Sequence, residues 1–163
     1  MDVTEILIGI TEIAIALAGF TGVVVAFGSR REGSWHPGDR LRLGFLLEAS
    51  LTAAGFALLG LLLVSTELNQ ATAWVLCSAL WPIFMAISLA TSRKALKENQ
   101  DTHGDVDRIA NKVTVAVFLI AVVLQAINAV HWQQFWPFLF ALTTNLAGAA
   151  MQFTRLIRSA FHV

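Results

Sequence analysis

The stretch EILIGITEIAIALAGFTGVVVAF, residues 5–27, decides the fold class, because it is long enough to cross a bilayer and yet contains two carboxylates. Read at helical spacing, its acidic and small residues share one stripe: Glu5, Gly9, Glu12, Ala16 and Gly19. The opposite side consists of Ile, Leu, Val and Phe. In lipid, a helix turns an acidic, small-residue stripe toward other protein or toward water. The stretch therefore predicts an all-α, polytopic membrane protein.

The rest of the chain repeats this apolar character. Of its 163 residues, 56% are hydrophobic and 13% charged, whereas soluble domains have about 25% charged residues. Five stretches approach the roughly 20 residues needed to span a bilayer: 5–27, 41–64, 71–92, 110–131 and 135–157. No connection is long enough for a folded soluble domain, so residues 1–163 are interpreted as one transmembrane domain. The acidic residues before the first stretch favour a retained helix over a cleaved signal peptide.

The positive charges predict the orientation. All eleven Lys and Arg residues lie beside the first connection, beside the third connection or at the C-terminal end. They are Arg30, Arg31, Arg40, Arg42, Arg93, Lys94, Lys97, Arg108, Lys112, Arg155 and Arg158. Because positive loops stay in the cytoplasm, we expect five spans with the N-terminus outside and the C-terminus cytoplasmic.

Polar residues inside the spans suggest a function. Estimated from the rise per residue, Glu12 lies in the outer half of the membrane and Glu48 in the inner half, each with amides at its own depth. One hypothesis is a homo-oligomeric channel or pore that conducts cations or protons, because rings of carboxylates attract cations. Its predicted pathway residues are Glu5, Glu12, Glu48, Gln125, Asn128, Asn145 and Gln152.

The alternative is a non-conducting membrane scaffold or accessory subunit. In that case Glu48 pairs with Arg155 or Arg42, and Glu12 is neutral and bonded to an amide of the fourth helix. Both acids then only hold helices together. The residue pattern leaves the two functions open.

Two further features concern packing. Pro82 lies inside the third stretch and predicts a kink, which is a candidate hinge. Small residues at four-residue spacing predict close helix approach, within one subunit or between subunits. They are Ala14, Ala18, Gly22 and Ala26.

Other chemistries find little support. The single cysteine, Cys77, allows no intrachain disulfide. The acidic loop at 101–107 lacks the spacing of an EF-hand, so we expect no metal. No catalytic arrangement or phosphate-binding glycine loop is present, so we expect neither an enzyme nor a cofactor. Topology and anionic lipid heads account for the basic segments, so no nucleic acid is expected as a partner.

The first two predicted helices and the segment between them contain a recognisable residue pattern. The run AGFTGVVVAFG at 18–28 is followed by Arg30 and Arg31, then Trp35, then the segment DRLRL at 39–43. This pattern resembles a group of small, uncharacterised, multi-pass proteins of the bacterial inner membrane. The resemblance covers about the first third of the chain. It implies an integral protein of that membrane, and it brings no activity with it.

Overall fold

A computed structural model describes residues 2–28, 37–66, 68–100 and 108–161, and all regular structure in these ranges is helical. The five α-helices are α1 (Val3–Gly28), α2 (Pro37–Val64), α3 (Gln70–Gln100), α4 (Arg108–Ile127) and α5 (Phe135–Phe161). The all-α prediction is therefore confirmed. The predicted boundaries differ mainly in α3, which continues to Gln100, and in α4, which passes into a π-helical segment at Asn128–Trp132.

Four of the described helices are long and apolar enough to cross a membrane. The qualifying segments are Val3–Val23, Asp39–Val64, Gln70–Ser92 and Lys112–Trp132. Helix α5 is not among them, although it has 27 residues. It contacts each of the other four helices. Because neighbouring helices cover one side of α5, that side can include polar residues such as Asn145, which is fully buried.

The core consists of two main clusters along α5. In the first, Leu7 and Ile10 of α1 join Ala57 of α2, and Phe138 and Leu142 of α5. Two further members of this cluster, Trp74 and Cys77, come from α3.

The second cluster joins α3, α4 and α5 through Trp81, Ala121 and Ala141. All three of these residues are fully buried. The α1–α2–α5 and α3–α4–α5 interfaces are therefore both held by side chains of α5.

Local sequence explains several helix ends. At the start of α1, the Thr4 N–H donates to the Asp2 carboxylate, and the Asp2 N–H donates to Glu5 Oε2, both at 3.4 Å. This reciprocal pair is a capping arrangement. The Asn69 side chain caps α3 by accepting from the Ala71 N–H at 3.1 Å.

The turn between α4 and α5 depends on Gln133. Its φ of 54° places it in the left-handed region, and its N–H donates to the Asn128 carbonyl at 2.9 Å. A reversal of this kind brings α5 back beside α4 after only two non-helical residues, Gln133 and Gln134.

Candidate functional site

The intramembrane carboxylate Glu12 lies on the side of α1 that is turned away from the bundle. Glu5 and Glu12 are both exposed, whereas Leu7, Ile10 and Ala14 on the opposite side of α1 are buried. We call the exposed side the outward face of α1. Its main members are Glu5, Ile8, Glu12, Ala16 and Gly19.

The depth of Glu12 makes this exposure significant. The membrane-length segment of α1 has 21 residues, and Glu12 lies close to its middle, ~14 Å from Val3 at 1.5 Å per residue. A carboxylate that faces lipid at that depth costs several kcal/mol. Contact with water or with another polypeptide would lower this cost.

Glycines on α1 also lack close neighbours in the described chain. A Cβ atom added at Gly9, Gly19 or Gly22 would meet nothing within 4 Å. By contrast, a Cβ at Gly60 of α2 would lie 3.2 Å from a methyl group of Leu7. Glycine in a membrane helix usually permits close approach of a second helix. Gly60 has that role inside the subunit, and the α1 glycines leave their surface open.

Glu5 has a second role that the sequence reading overlooked. Its carboxylate accepts the hydrogen bond from the Asp2 N–H and so caps α1. The signal was present in the sequence, because an Asp three residues before a Glu at a helix start is typical of a capping box. No hydrogen bond of this kind involves Glu12 in the part of the chain that the structure describes, so Glu12 is the more informative carboxylate of the two.

Glu48 has a partner on the neighbouring helix. Its side chain is half-buried, and its Oε1 accepts a hydrogen bond from the Ser88 hydroxyl of α3. Within the described ranges, Arg42 forms an ion pair with Asp39 at 3.2 Å rather than with Glu48. Glu48 therefore links α2 to α3 through Ser88, a residue that the sequence reading did not single out.

Two amides, Gln125 of α4 and Asn128 at the start of the π-helical segment, bind α3 and the beginning of α5. Gln125 Nε2 donates to the Pro137 carbonyl at 2.6 Å. Asn128 Nδ2 donates to Ser78 Oγ at 2.8 Å and to the Gln134 carbonyl at 2.9 Å, and the Gln134 N–H donates back to Asn128 Oδ1 at 2.9 Å. We call Gln125 and Asn128 with these partners the amide clamp. Its donors are directed to α3 and to the start of α5, and not to Glu12.

The remaining pathway candidates are on α5. Asn145 is fully buried. Gln152 lies about two turns further along the helix and is half-buried, as is the predicted ion-pair partner Arg155, nearly three turns beyond Asn145. The predicted pathway residues thus occupy three separate environments: the outward face of α1, the contact between α2 and α3, and the interior beside α5. The described structure does not bring them into one continuous chain of contacts.

The predicted packing residues also separate. Ala14 is buried in a cluster with Ala53 and Ala54 of α2, Ala18 is half-buried and Gly22 is exposed. The side chain of Ala26 lies outside the described residues. The four-residue ridge therefore faces α2 at Ala14 and opens outward by Gly22.

Two further predictions concern Pro82 and the acidic loop. Pro82 is half-buried, and α3 continues through it as one helix, so its role as a hinge stays a prediction. The loop acids at 101–107 lie outside the described residues.

Polar partners within the third apolar stretch were missed at the sequence level. Ser78 and Ser88 both bond to residues on other helices. Serine in a membrane helix often forms such bonds, so these two positions carried a usable signal.

Comparison with known proteins identified no relative of this chain. No family model matches the sequence, and no curated protein or solved structure shows a significant similarity to it.

Proposed function

We propose that the protein is a homo-oligomeric pore of the bacterial inner membrane, and that it conducts cations or protons past the carboxylates of α1. The observation that carries the proposal is the position of Glu12. It lies near the middle of a membrane-length helix and faces away from its own bundle. A second copy of the chain, together with water between the copies, gives this carboxylate the polar surroundings that one subunit lacks.

The geometry of α1 suits a pore lined by several copies. Glu5 and Glu12 are seven residues apart, which is two helical turns or ~10 Å along the axis. In a symmetric oligomer each would form a ring, and rings of carboxylates attract cations. The open surface at Gly9 and Gly19 leaves space for water or for a neighbouring helix.

In this proposal all five helices cross the membrane, with the N-terminus outside. Helix α5 starts beside α3, where Phe135 packs on Trp74 with ring centroids 5.0 Å apart. Further along, Phe153 of α5 packs on Phe20 of α1, with ring centroids 6.2 Å apart. These contacts support a helix that follows the full length of its neighbours. The orientation rests on the one-sided distribution of Lys and Arg.

Glu48 is the proposed second ion site, nearer the cytoplasm. It is half-buried at the contact between α2 and α3 and is bonded to Ser88. The neighbouring glycines on α2, Gly44 and Gly55, are exposed and have open surroundings. These features support access to the Glu48 carboxylate from outside the bundle.

A non-conducting scaffold or accessory subunit is the second candidate. The amide clamp favours it, because Gln125 and Asn128 form interhelical bonds that need no pathway to explain them. In that function the outward face of α1 would bind a different membrane protein, and Glu12 would lie at the interface with that partner.

The test is flux of protons and monovalent cations into liposomes that contain the purified protein, beside Glu12→Gln and Glu48→Gln. We expect flux in the parent that falls several-fold in Glu12→Gln, because an amide removes the charge while it keeps the size. A Glu12→Gln protein that conducts like the parent would exclude Glu12 as the site. A parent without flux across a range of pH and voltage would favour the scaffold.

Cross-linking tests the oligomer separately. In a Cys77→Ala background, Gly19→Cys is expected to give disulfide-linked dimers in the membrane under mild oxidation. The matched control is Val115→Cys on α4, which is also exposed but lies on a different helix. Equal cross-linking at both positions would indicate random collision instead of an interface through α1.

A further inference from the structure

The hydrogen bond between Glu48 and Ser88 places an acid beside a hydroxyl group at the contact between α2 and α3. The Ser88 hydroxyl donates to Oε1 of Glu48, which is half-buried. Glu48 lies within the membrane-length segment Asp39–Val64, ~14 Å along the axis from Asp39. A carboxylate in that position is costly unless a partner or water compensates its charge.

The two arginines that the sequence offers as partners are directed elsewhere. On α2, Arg42 forms an ion pair with Asp39 at 3.2 Å. Arg155 of α5 shares one side of its helix with Gly148, two turns earlier. That side faces α4, because a Cβ at Gly148 would lie 3.7 Å from the Phe118 ring. Among the described residues, the hydroxyl is therefore the hydrogen-bond partner of this carboxyl group.

Helix α2 packs against α1, α3 and α5, and their other titratable groups also lie away from this contact. They are Glu5 and Glu12 on the outward face of α1, Arg158 of α5 and Arg40 of α2 itself, which are exposed, and Cys77, which is buried in the cluster with Phe138. Among the described side chains of α3, Cys77 is the one titratable group. The Lys and Arg side chains that follow on α3 lie outside the described residues.

A hydroxyl partner suits an acid that changes its protonation state. An arginine only donates hydrogen bonds and stays charged, so it favours the carboxylate form. A serine hydroxyl both donates and accepts, so Ser88 can bond to Glu48 as a carboxylate and as a neutral acid. Proton uptake from water then forms one O–H bond on the carboxyl group and leaves the contact between the helices in place.

The same atoms are a poor site for a metal cation. Hard cations such as Ca²⁺ and Mg²⁺ take about six or more oxygen ligands. The described contact supplies the two carboxylate oxygens and one hydroxyl. Gly44 and Gly55 on α2 add no side-chain oxygen, and a Cβ at either would meet nothing within 4 Å. These glycines leave an open approach for water, and a proton requires no more than a water molecule and one acceptor.

We propose that Glu48 and Ser88 form an intramembrane proton-binding site. Glu48 takes up and releases the proton, and Ser88 is a positioning residue that holds the carboxyl group in both protonation states. This site rests on the proposed pore and narrows the ion at Glu48 to the proton.

The test is infrared difference spectroscopy of the full chain in liposomes during a pH titration, which detects the C=O stretch of protonated carboxyl groups. In the parent, we expect a band that grows as the pH falls and that is lost in Glu48→Gln. Ser88→Ala should move this band to higher frequency, because loss of a hydrogen bond strengthens the C=O bond. Ser88→Thr keeps the hydroxyl and should keep the frequency. Thr91→Val should also leave the band unchanged, since the Thr91 hydroxyl donates to a carbonyl of its own helix.

Sodium distinguishes a proton site from a metal site. When sodium replaces the large cation choline at equal ionic strength, a proton site keeps the midpoint pH of the band. A metal site shifts that midpoint to lower pH, because the metal ion displaces the proton. A midpoint that falls in sodium would overturn the proposal, as would a Glu48→Gln spectrum identical to that of the parent or an unshifted band in Ser88→Ala. If the variants do not fold, the parent titration in sodium decides alone.

The spectra do not depend on ion flux, so the proton site and the pore can fail separately. A Glu48 band without flux contradicts the pore alone. Flux without the band contradicts the proton site alone.

Discussion

The amide clamp and the outward face of α1 both place polar groups in membrane-length helices, but the clamp residues donate hydrogen bonds to neighbouring helices of the same chain. Asn128 forms three hydrogen bonds to α3 and to the start of α5. Glu12, on the outward face, is exposed near the middle of its helix. A polar residue in a span is therefore not in itself a sign of transport. What matters is whether its own subunit supplies the partner.

This comparison leads to ordered predictions for the free energy of unfolding of the subunit, measured by denaturant titration in bicelles. Substitutions in the interior should destabilise the subunit. Substitutions on the outward face should leave it intact and act instead on the proposed oligomer or on its proposed flux.

The largest effect is expected for Gly60→Leu. A Cβ at this position already lies 3.2 Å from Leu7 and 3.3 Å from Phe138, so a larger side chain must separate α1, α2 and α5. We expect a loss of about 3 kcal/mol. Gly19→Leu is the control, because a Cβ there meets nothing within 4 Å. Equal stability of the two variants would mean that α2 does not approach Leu7 as closely as described.

Asn128→Leu should follow. The change removes three hydrogen bonds and leaves the Gln134 N–H without its acceptor, which predicts a loss of about 2 kcal/mol. The control is Thr143→Val, whose hydroxyl donates to the Leu139 and Phe140 carbonyls of its own helix. If both variants unfold like the parent, the clamp does not hold the three helices together.

Ser88→Ala should have a smaller effect. It removes the hydroxyl that donates to Glu48 between α2 and α3, and we expect a loss of about 1 kcal/mol because the site is only half-buried. Thr91→Val is the matched control, since the Thr91 hydroxyl donates to the Ser88 carbonyl within α3. A Ser88→Ala protein more stable than the parent would show that the hydroxyl does not stabilise the contact between α2 and α3.

Glu12→Gln should change the stability of the subunit least, by less than about 0.5 kcal/mol, as is usual for surface positions. The same variant is expected to reduce flux. Flux should therefore fall while the free energy of unfolding stays nearly unchanged. A loss as large as that of Asn128→Leu would show that Glu12 has a partner inside its own subunit. That outcome would remove the contrast between the outward face and the amide clamp.

Several features were predictable because they depend on local composition. Apolar length predicted helices at all five positions, and the structure has a helix at each. Depth along the helices also grouped Gln125 with Asn128, and both belong to one clamp. The hydrogen-bond partner of a polar side chain was harder to predict. The bond between Glu48 and Ser88 depends on how α2 and α3 are rotated about their axes, and two arginines were equally plausible partners at that depth.

The amino-acid sequence by itself determined that this is an all-α protein with membrane-length helices, and that Glu5 and Glu12 share one side of α1. Both follow from local rules, namely apolar length and the 3.6-residue period. Only the tertiary structure decided which side of α1 faces the bundle. In a membrane, lipid tails are as apolar as a protein core, so hydrophobicity does not distinguish the packed side of a helix from the lipid side. Contacts such as Leu7 against Gly60 make that choice, and they leave Glu12 directed outward.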